Sequence, residues 1–197
     1  AGKTVMFSEI VSRLIRGSNM KVLVLAHRDE LTAQNLAQFT RMNPSIETST
    51  YDAKTKSWDG QVTFAMVPTL AREENLATMP AIDLLVIDEA HHAVADTYQR
   101  IVTKARELKK KCRVFGVTAT PNRSDHRGLR EVFSNVADQI SVGELIRSGH
   151  LVPPRTFIMD VGVQDSLSKV RTQGDEFDML AVEHIMLSAP FKNLPKT

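Results

Sequence analysis

Cysteine is nearly absent from the sequence, since Cys112 is the only one among 197 residues. A lone cysteine cannot form a disulfide within the chain, which excludes the class of small secreted domains that several disulfides hold together. It also suits a reducing compartment, so we expect a cytoplasmic protein. No apolar run approaches the roughly 20 residues that span a bilayer, and the first residues lack the basic-then-apolar order of a signal peptide.

An excess of charge of one sign is also lacking. The 25 lysines and arginines are nearly balanced by 23 aspartates and glutamates, so the overall charge does not by itself indicate a nucleic-acid-binding protein. The three lysines at 109–111 could contact phosphates, or they could form the solvated end of a helix, where cations suit the helix dipole. Hydrophobic residues make up 42% of the chain, enough for the core of one ordinary domain.

Short apolar runs recur between segments with helical periodicity. The runs occupy residues 22–26, 62–66, 84–88 and 114–118. Strands that are apolar on consecutive residues are buried on both faces, which is typical of a parallel sheet between two layers of helices. The residues expected to cover the sheet are Val5, Ile10, Val11, Leu14, Ile15, Leu31, Leu36, Phe39, Tyr98, Ile101, Val102 and Leu108. We therefore predict an α/β fold built from βα units with right-handed crossovers.

The pattern changes after Pro121. A polar stretch at 122–128 precedes a short helix expected near 129–133 and strands expected near 139–142 and 155–161. Periodicity is weak from about residue 163 onward, which indicates a connecting segment.

Gly2, Lys3 and Thr4 open an amphipathic helix. They match the second half of the phosphate-binding pattern G-x-x-x-x-G-K-[ST], in which glycine admits backbone amides to the phosphates, lysine reaches the β and γ oxygens, and the hydroxyl binds Mg²⁺. An ordinary helix start with Thr4 near the cap is the alternative. Because the first glycine of the pattern is not in the chain, we expect a sequence truncated inside its phosphate loop.

Asp88 and Glu89 follow the apolar strand 84–87 and are themselves followed by Ala-His. Ligands of open α/β sheets bind at this edge of the strands. Asp88 would hold Mg²⁺ through water, and Glu89 would polarise the water that attacks the γ-phosphate of ATP. A polar loop entry explains either acid alone, but not its combination with a Gly-Lys-Thr helix start.

Further motifs follow the expected order along the chain. They are Ala-His-Arg-Asp-Glu-Leu at 26–31 with Gln34, Val-Pro-Thr-Leu at 67–70, and Thr-Ala-Thr-Pro at 118–121. Together with the two motifs above, they resemble the first motor domain of the DEAD/DEAH-box helicases and translocases of superfamily 2. This resemblance covers about residues 1–160 and implies a RecA-like P-loop domain with a mainly parallel sheet and helices on both faces.

A more detailed likeness is to the branch that holds RadD-like helicases and type III restriction motor subunits. The residues that carry it are Arg123, Asp125, Gly128, Leu129 and the segments 143–146 and 149–153. This branch acts on DNA, so the resemblance favours DNA over RNA as the partner.

Arg28 and Thr69 each stand where a predicted strand turns into a helix. At such a turn, a guanidinium or hydroxyl and the helix amides can meet the same nucleic-acid phosphate. Arg28 could instead belong to a surface ion pair, and Thr69 could be a local turn residue.

Thr118 and Thr120 follow a buried strand, and their hydroxyls can bond the Asp-Glu-Ala-His loop. They would then transmit the state of the γ-phosphate to the nucleic-acid face, with His91 in the same network. The alternative is a threonine-rich strand end. His92 has no role in the resemblance, and we expect it to be structural or solvent-facing.

A zinc site is the competing interpretation of the histidines. The possible ligands are His91, His92, His126, His150, Asp88 and Cys112. None has the H-E-x-x-H or C-x-x-C spacing of zinc ligands, which disfavours zinc. A nucleophilic role for Cys112 is disfavoured too, because no partner histidine is indicated.

The resemblance implies an ATP-dependent DNA helicase or translocase that uses Mg²⁺ and couples hydrolysis to strand movement. Such motors close a second RecA-like domain on ATP, and nothing after residue 160 resembles that domain. We expect residues 1–160 to form the first motor domain and residues 161–197 to lead toward the second. A non-catalytic module, whose binding of nucleic acid or a partner is gated by nucleotide, is the alternative function.

Overall fold

The computed structural model describes residues 2–120, 129–155, 170, 172–173, 176–177 and 182. The chain divides into two compact units, residues 1–138 and 139–197. The domain boundary expected at residue 160 stays a prediction.

The first unit is built on a five-stranded sheet in which every pairing is parallel. The strands are β1 (Val22–Ala26), β2 (Thr48–Tyr51), β3 (Val62–Met66), β4 (Leu84–Asp88) and β5 (Arg113–Val117). Their order in the sheet is β2-β3-β1-β4-β5. The predicted parallel sheet is therefore confirmed, with β5 one residue earlier than expected.

Helices connect these strands. They are α1 (Lys3–Ile15), α2 (Asp29–Met42), α3 (Val67–Leu70), α4 (Glu73–Leu76) and α5 (Asp96–Leu108), with 3₁₀ turns at Ala90–His92 and Leu129–Glu131. None of the helices in the part of the chain that the structure describes is long and apolar enough to cross a membrane.

The core consists of two hydrophobic clusters, one on each face of the sheet. Successive residues of β1 explain the arrangement, because Val22 and Val24 pack in the cluster with α1 and α2, whereas Leu23 and Leu25 pack in the cluster with α5. Side chains of a strand point alternately to opposite faces, so both sets can be buried only when both faces are covered. The consecutive apolar runs in the sequence have this cause.

The helix faces correct part of the sequence prediction. In α1 the buried residues are Phe7, Ser8, Val11 and Ile15, whereas Val5 and Leu14 are exposed. In α2 the buried residues include two polar ones, Thr32 and Asn35, beside Phe39. Leu108, at the end of α5, is exposed rather than buried. A polar residue on a buried helix face needs a hydrogen-bonding partner from another element, and such partners occur at the site described below.

Strand β2 was not expected from the sequence. Its residues Thr-Ser-Thr-Tyr are mostly polar and alternate between half-buried and buried, as is typical of an edge strand. The hydroxyls of Ser49 and Thr63 are 2.9 Å apart and join it to β3.

In the second unit, the strand predicted near 139–142 is wrong. Residues 139–141 are irregular, and helix α6 runs from Val142 to Arg147. The Ser141 hydroxyl accepts from the Glu144 amide, and the Glu144 carboxylate accepts from the Ser141 amide, which forms a capping box that starts a helix. The short strands β6 (Thr172–Gln173) and β7 (Glu176–Phe177) are antiparallel. Except for Arg155, the strand predicted at 155–161 lies outside the described residues, as does the stretch 121–128.

Candidate functional site

The carboxyl ends of all five strands lie at one edge of the sheet, which we call the carboxyl edge. The loops after β1, β3, β4 and β5 carry the predicted site residues other than Gly2, Lys3 and Thr4, because each of those motifs directly follows its strand. In open parallel sheets this edge is where ligands bind. The fold thus brings together motifs that are far apart along the chain.

The phosphate-loop residues lie at the start of α1. Gly2 is the N-cap, and its φ of 91° lies in the left-handed region that favours glycine. Lys3 and Thr4 begin the helix, where unpaired backbone amides and the helix dipole favour an anion. Gly2 and Thr4 border an open cleft of about 400 Å³ together with Gln34.

Lys3 and Glu89 form an ion pair across the site. The Lys3 Nζ atom is 2.5 Å from Glu89 Oε1, although the two residues are 86 positions apart. Both side chains are partly exposed, at 26% and 31%. The predicted phosphate-binding lysine and the predicted general base are therefore direct neighbours.

Asn35 connects the two predicted magnesium ligands, Thr4 and Asp88. Asn35 was not identified from the sequence. Its Oδ1 accepts from the Thr4 hydroxyl at 3.1 Å, and its Nδ2 donates to Asp88 Oδ2 at 2.9 Å. Asp88 and Asn35 are both buried. One carboxamide thus holds a hydroxyl and a carboxylate close together, and oxygen atoms of this kind are the ligands that Mg²⁺ prefers.

The backbone at Glu89 is strained. Its φ of 50° and ψ of 55° make it the only non-glycine residue with positive φ among the described residues. Such a conformation costs on the order of 1–3 kcal/mol and persists where the surrounding structure fixes it. Here the Glu89 amide donates to Asp88 Oδ1 at 3.0 Å, so the two acids hold each other's orientation.

His91 connects the loop after β4 with the loop after β5. Its Nδ1 lies 2.9 Å from the Thr118 hydroxyl, 3.2 Å from the Thr120 hydroxyl and 3.3 Å from Glu89 Oε2. The Thr120 amide also donates to the Thr118 hydroxyl at 3.1 Å. The contacts expected between both threonines and this loop are therefore present.

Gly116 of β5 allows the next segment to pack on this loop. A Cβ atom at Gly116 would lie 2.4 Å from the Phe133 ring and 2.7 Å from the Ala90 Cβ. Real Cβ atoms do not approach so closely, so any other residue would displace Phe133 or the 3₁₀ turn.

His92 belongs to an aromatic stack with His27 and Tyr98. Tyr98 is fully buried, and its hydroxyl has no hydrogen-bonding partner among the described residues. Burial and the negative charges of Asp88 and Glu89 raise the pKa of Tyr98 far above its usual range, so its phenol stays neutral.

Arg28 and Thr69, the predicted phosphate contacts, differ in accessibility. Arg28 is exposed at the N-cap of α2, where its carbonyl accepts from the amide and the hydroxyl of Thr32 at 3.0 Å each. Thr69 is only 5% exposed, and its carbonyl accepts from Asn75 Nδ2 at 2.7 Å. The role of each in binding nucleic acid stays a prediction.

The competing interpretations gain little from the geometry. Within residues 2–120 and 129–155, no three His, Cys, Asp or Glu side chains are grouped as a metal site would require, and His126 lies outside the described residues. Burial raises the pKa of the Cys112 thiol, which opposes its activation as a nucleophile. Lys109 is the C-cap of α5 and pairs with Asp83, so at least one of the three lysines at 109–111 has a structural partner.

A parallel sheet with a Gly-Lys-Thr helix start and an Asp-Glu-Ala-His loop at its carboxyl edge defines a RecA-like P-loop domain of the helicase type. Comparison with known proteins agrees. Residues 1–123 match the family described as "Type III restriction enzyme, res subunit", and the chain belongs to this family.

Relatives and solved structures are of the same kind. The chain is 32% identical over 94% of its length to a protein of Saccharomyces cerevisiae named "Putative ATP-dependent helicase IRC3". It is 29% identical over 68% of its length to the ATP-dependent DNA helicase MPH1 of Pyricularia oryzae. The Hef helicase domain of Pyrococcus furiosus superposes on 62% of the chain with a TM-score of 0.55 and 26% identity. The chain spans 28% of IRC3, 13% of MPH1 and 28% of the Hef structure.

Proposed function

We propose that this chain is the ATP-binding half of a motor that hydrolyses Mg-ATP and moves along DNA. The single observation that carries the proposal is the meeting of Lys3, Thr4, Asp88 and Glu89 at one edge of the sheet, with Asn35 between Thr4 and Asp88. The names of the relatives, which describe ATP-dependent helicases, support the same activity.

The residues present fit a magnesium-nucleotide complex. The Lys3 ammonium and the amides at the start of α1 suit the charge of the phosphates, while the Thr4 hydroxyl and the Asp88 carboxylate suit the metal. When bound, Mg²⁺ would neutralise charge that develops on the phosphates during transfer. Asn35 supports both ligands and would keep them oriented, as groups behind the ligands of a metal commonly do.

The Lys3–Glu89 pair has a consequence for catalysis. To act on phosphate, Lys3 must exchange the Glu89 carboxylate for phosphate oxygens, and the same exchange frees Glu89 to accept a proton from water. His91 still contacts Glu89 Oε2 and the Thr118 hydroxyl, so it would keep Glu89 linked to the loop after β5. Binding of the substrate and activation of the base are thus coupled in this proposal.

DNA is the proposed track, with Arg28 and Thr69 on its phosphate backbone. Arg28 supports the proposal more strongly, because it is exposed at a helix N-terminus on the carboxyl edge. Thr69 would offer little more than its backbone unless the turn opens, since its side chain is buried. The preference for DNA rests on the likeness of the 123–129 and 149–153 segments and on the name of MPH1.

A second RecA-like domain is part of the proposal, because it would supply an arginine finger worth about 10³–10⁵ in rate. We accordingly expect this chain alone to bind nucleotide but to hydrolyse it slowly. We also propose a cytoplasmic location, on the ground of the single cysteine.

The test is phosphate release from ATP by the longest protein that the gene encodes around this chain. It is measured without nucleic acid and with duplex DNA, single-stranded DNA or RNA, and Glu89→Gln serves as the inactive control. Stimulation by DNA that Glu89→Gln abolishes supports the motor, and stimulation by RNA alone would replace the proposed track. Binding of Mg-ATP without any hydrolysis would favour a nucleotide-gated binding module instead.

A further inference from the structure

Three aromatic rings lie in one stack beside the acidic loop. The ring centroids of His27 and His92 are 5.3 Å apart with an interplanar angle of 23°. Both rings lie 6.4 Å from the Tyr98 ring, at interplanar angles of 15° and 18°. These separations are within the range of stacked aromatic pairs, which contribute about 0.5–1.5 kcal/mol beyond the burial of their surface.

The stack joins two loops that leave neighbouring strands. His27 directly follows β1 and directly precedes Arg28, whereas His92 lies in the 3₁₀ turn that follows Glu89. Strands β1 and β4 are paired, with Leu25 opposite Ile87, so the two loops start side by side. One loop carries the proposed phosphate contact, and the other carries the proposed general base.

Tyr98 provides a rigid floor for the two histidines. It belongs to α5, is fully buried and packs in the cluster that contains Leu85 and Ile87 of β4. A ring fixed in a close-packed core cannot follow a loop that moves. Because Tyr98 stays fixed, a shift of His27 would be passed to His92 through the direct contact of the two histidine rings.

From His92 the contacts continue to Glu89. The His92 and His91 ring centroids are 4.1 Å apart, and His91 Nδ1 lies 3.3 Å from Glu89 Oε2. The left-handed backbone of Glu89 stores strain, which would favour a change of conformation in this loop once its contacts are exchanged. Coupling between sites requires an element with two arrangements, and the loop at 89–92 has the properties of one.

We propose that His27 and His92 are positioning residues that transmit the binding of nucleic acid at Arg28 to the orientation of Glu89. This inference rests on the proposed function, because it assumes that nucleic acid stimulates ATP hydrolysis. Neither histidine touches the phosphates or the attacking water in this scheme. For His27 the stacked ring is what matters, and a phenyl ring at that position should substitute for it.

The test compares His27→Ala and His92→Ala with His27→Phe in the longest protein encoded around this chain. His150→Ala is the matched control, since His150 is an exposed histidine of the other unit. For each protein we would measure thermal unfolding, ATP turnover without nucleic acid, turnover at saturating DNA, and the Kd for DNA.

We expect both alanine variants to keep unstimulated turnover and the Kd for DNA within about twofold, while the stimulated kcat falls at least about fivefold. The His27→Phe variant should regain most of the stimulation. A merely structural role for the histidines would instead lower the unfolding temperature and both turnover rates together.

Stimulation that survives in both alanine variants overturns this inference alone. A weaker affinity for DNA in His27→Ala also overturns it, because His27 would then be a contact. Failure of His27→Phe to restore what His27→Ala loses would overturn it as well, since the ring nitrogens of His27 would then be required. If the wild-type protein hydrolyses ATP without stimulation by any nucleic acid, the proposed function itself fails.

Discussion

Strand β4 carries an ion pair at each end, and the two pairs have the same length but different surroundings. At its amino end Asp83 Oδ1 is 2.5 Å from Lys109 Nζ, and at its carboxyl end Glu89 Oε1 is 2.5 Å from Lys3 Nζ. The acids are exposed to similar extents, 21% and 31%. The geometry of an ion pair therefore does not distinguish a structural pair from one in a candidate site.

The amino-end pair is embedded in contacts that join strands. Asp83 Oδ2 accepts from the Lys21 amide, the Asp83 amide donates to the Lys21 carbonyl, and the Arg113 amide donates to the Asp83 carbonyl. The Lys21 ammonium in turn donates to backbone carbonyls of residues 58–60. These bonds tie together the starts of β1, β4 and β5, which identifies Asp83 as a structural residue.

At the carboxyl end, by contrast, strain and exchangeable partners are concentrated. The backbone of Glu89 is left-handed, and its carboxylate contacts Lys3 and His91. Each of these partners has another group it could bind, phosphate for Lys3 and hydroxyls for His91. Strain beside replaceable contacts is what an element needs in order to change state with its ligand.

The largest difference between the two ion pairs is expected when the lysine of each, Lys3 or Lys109, is replaced by alanine. Lys3→Ala should weaken binding of a fluorescent ATP analogue by about 100-fold or more, because it removes the cation that faces the phosphates. Lys109→Ala should leave that affinity within about twofold. Equilibrium titration of both variants with Mg²⁺ present measures the difference.

Thermal unfolding provides the control, since both variants should remain folded. Equal nucleotide affinities for wild type, Lys3→Ala and Lys109→Ala would contradict the assignment of the carboxyl edge as the nucleotide site.

Asn35 provides the next largest expected effect, and Asn75 is its counterpart away from the acids. Both are buried and hydrogen-bonded, Asn35 to Asp88 and Asn75 to the Thr69 carbonyl. Each alanine variant should lose about 2 kcal/mol of unfolding free energy, because a buried polar group loses its partner. Only Asn35→Ala should also raise the Mg²⁺ concentration needed for half-maximal nucleotide binding, by about tenfold.

Denaturant unfolding and magnesium titrations of the two variants test this expectation. An unchanged magnesium requirement in Asn35→Ala would show that its bonds to Thr4 and Asp88 serve stability alone.

Asn35 also marks where prediction from the sequence stopped. The strands 22–26, 62–66 and 84–88 were predicted to the residue, because burial on both faces leaves consecutive apolar residues. Lys3 and Glu89 were expected at one edge of the sheet, because ligands of open α/β sheets bind at the carboxyl ends of the strands. Asn35 breaks the apolar periodicity of α2, and its partner Asp88 is 53 residues away, so no local pattern indicates it. Its place between Thr32 and Phe39 on one helix face was the available signal.

The other misses have local causes. The apolar residues near 139–142 suggested a strand, although Ser141 and Glu144 stand three residues apart in the pattern that starts a helix. Strand β2 was missed because its mostly polar residues show no apolar run. It becomes a strand by pairing with β3, and that pairing depends on the rest of the sheet.

The amino-end pair predicts a smaller, pH-dependent effect. Burial favours the neutral form of Asp83, but hydrogen bonds from Lys109 and the Lys21 amide, with the Lys109 charge, lower its pKa overall. A lowered pKa in the folded state stabilises the protein above the unfolded pKa and loses this effect as pH falls toward the folded value. Asp83→Asn should therefore cost up to about 1 kcal/mol near neutral pH, discounted for the 42% exposure of Lys109.

Denaturant unfolding at several pH values measures this cost, and it should shrink below about pH 4. A cost that stays constant below that pH as well would mean that the carboxylate charge contributes nothing, and that only the shape of the side chain matters.

Tyr98→Phe should have the smallest effect at the carboxyl edge, and it separates the ring of Tyr98 from its hydroxyl. Because the hydroxyl is buried without a partner among the described residues, its removal should leave the unfolding free energy unchanged or raise it by up to about 1 kcal/mol. The ring stays, so stimulation of ATP turnover by DNA should stay too. Unfolding and turnover measured on the same preparation test both expectations.

Since the raised pKa keeps the phenol of Tyr98 neutral, the hydroxyl can act only as a neutral hydrogen-bonding group. A fall in turnover at unchanged stability would therefore mean that the Tyr98 hydroxyl itself contributes to the catalytic site beside Asp88 and Glu89.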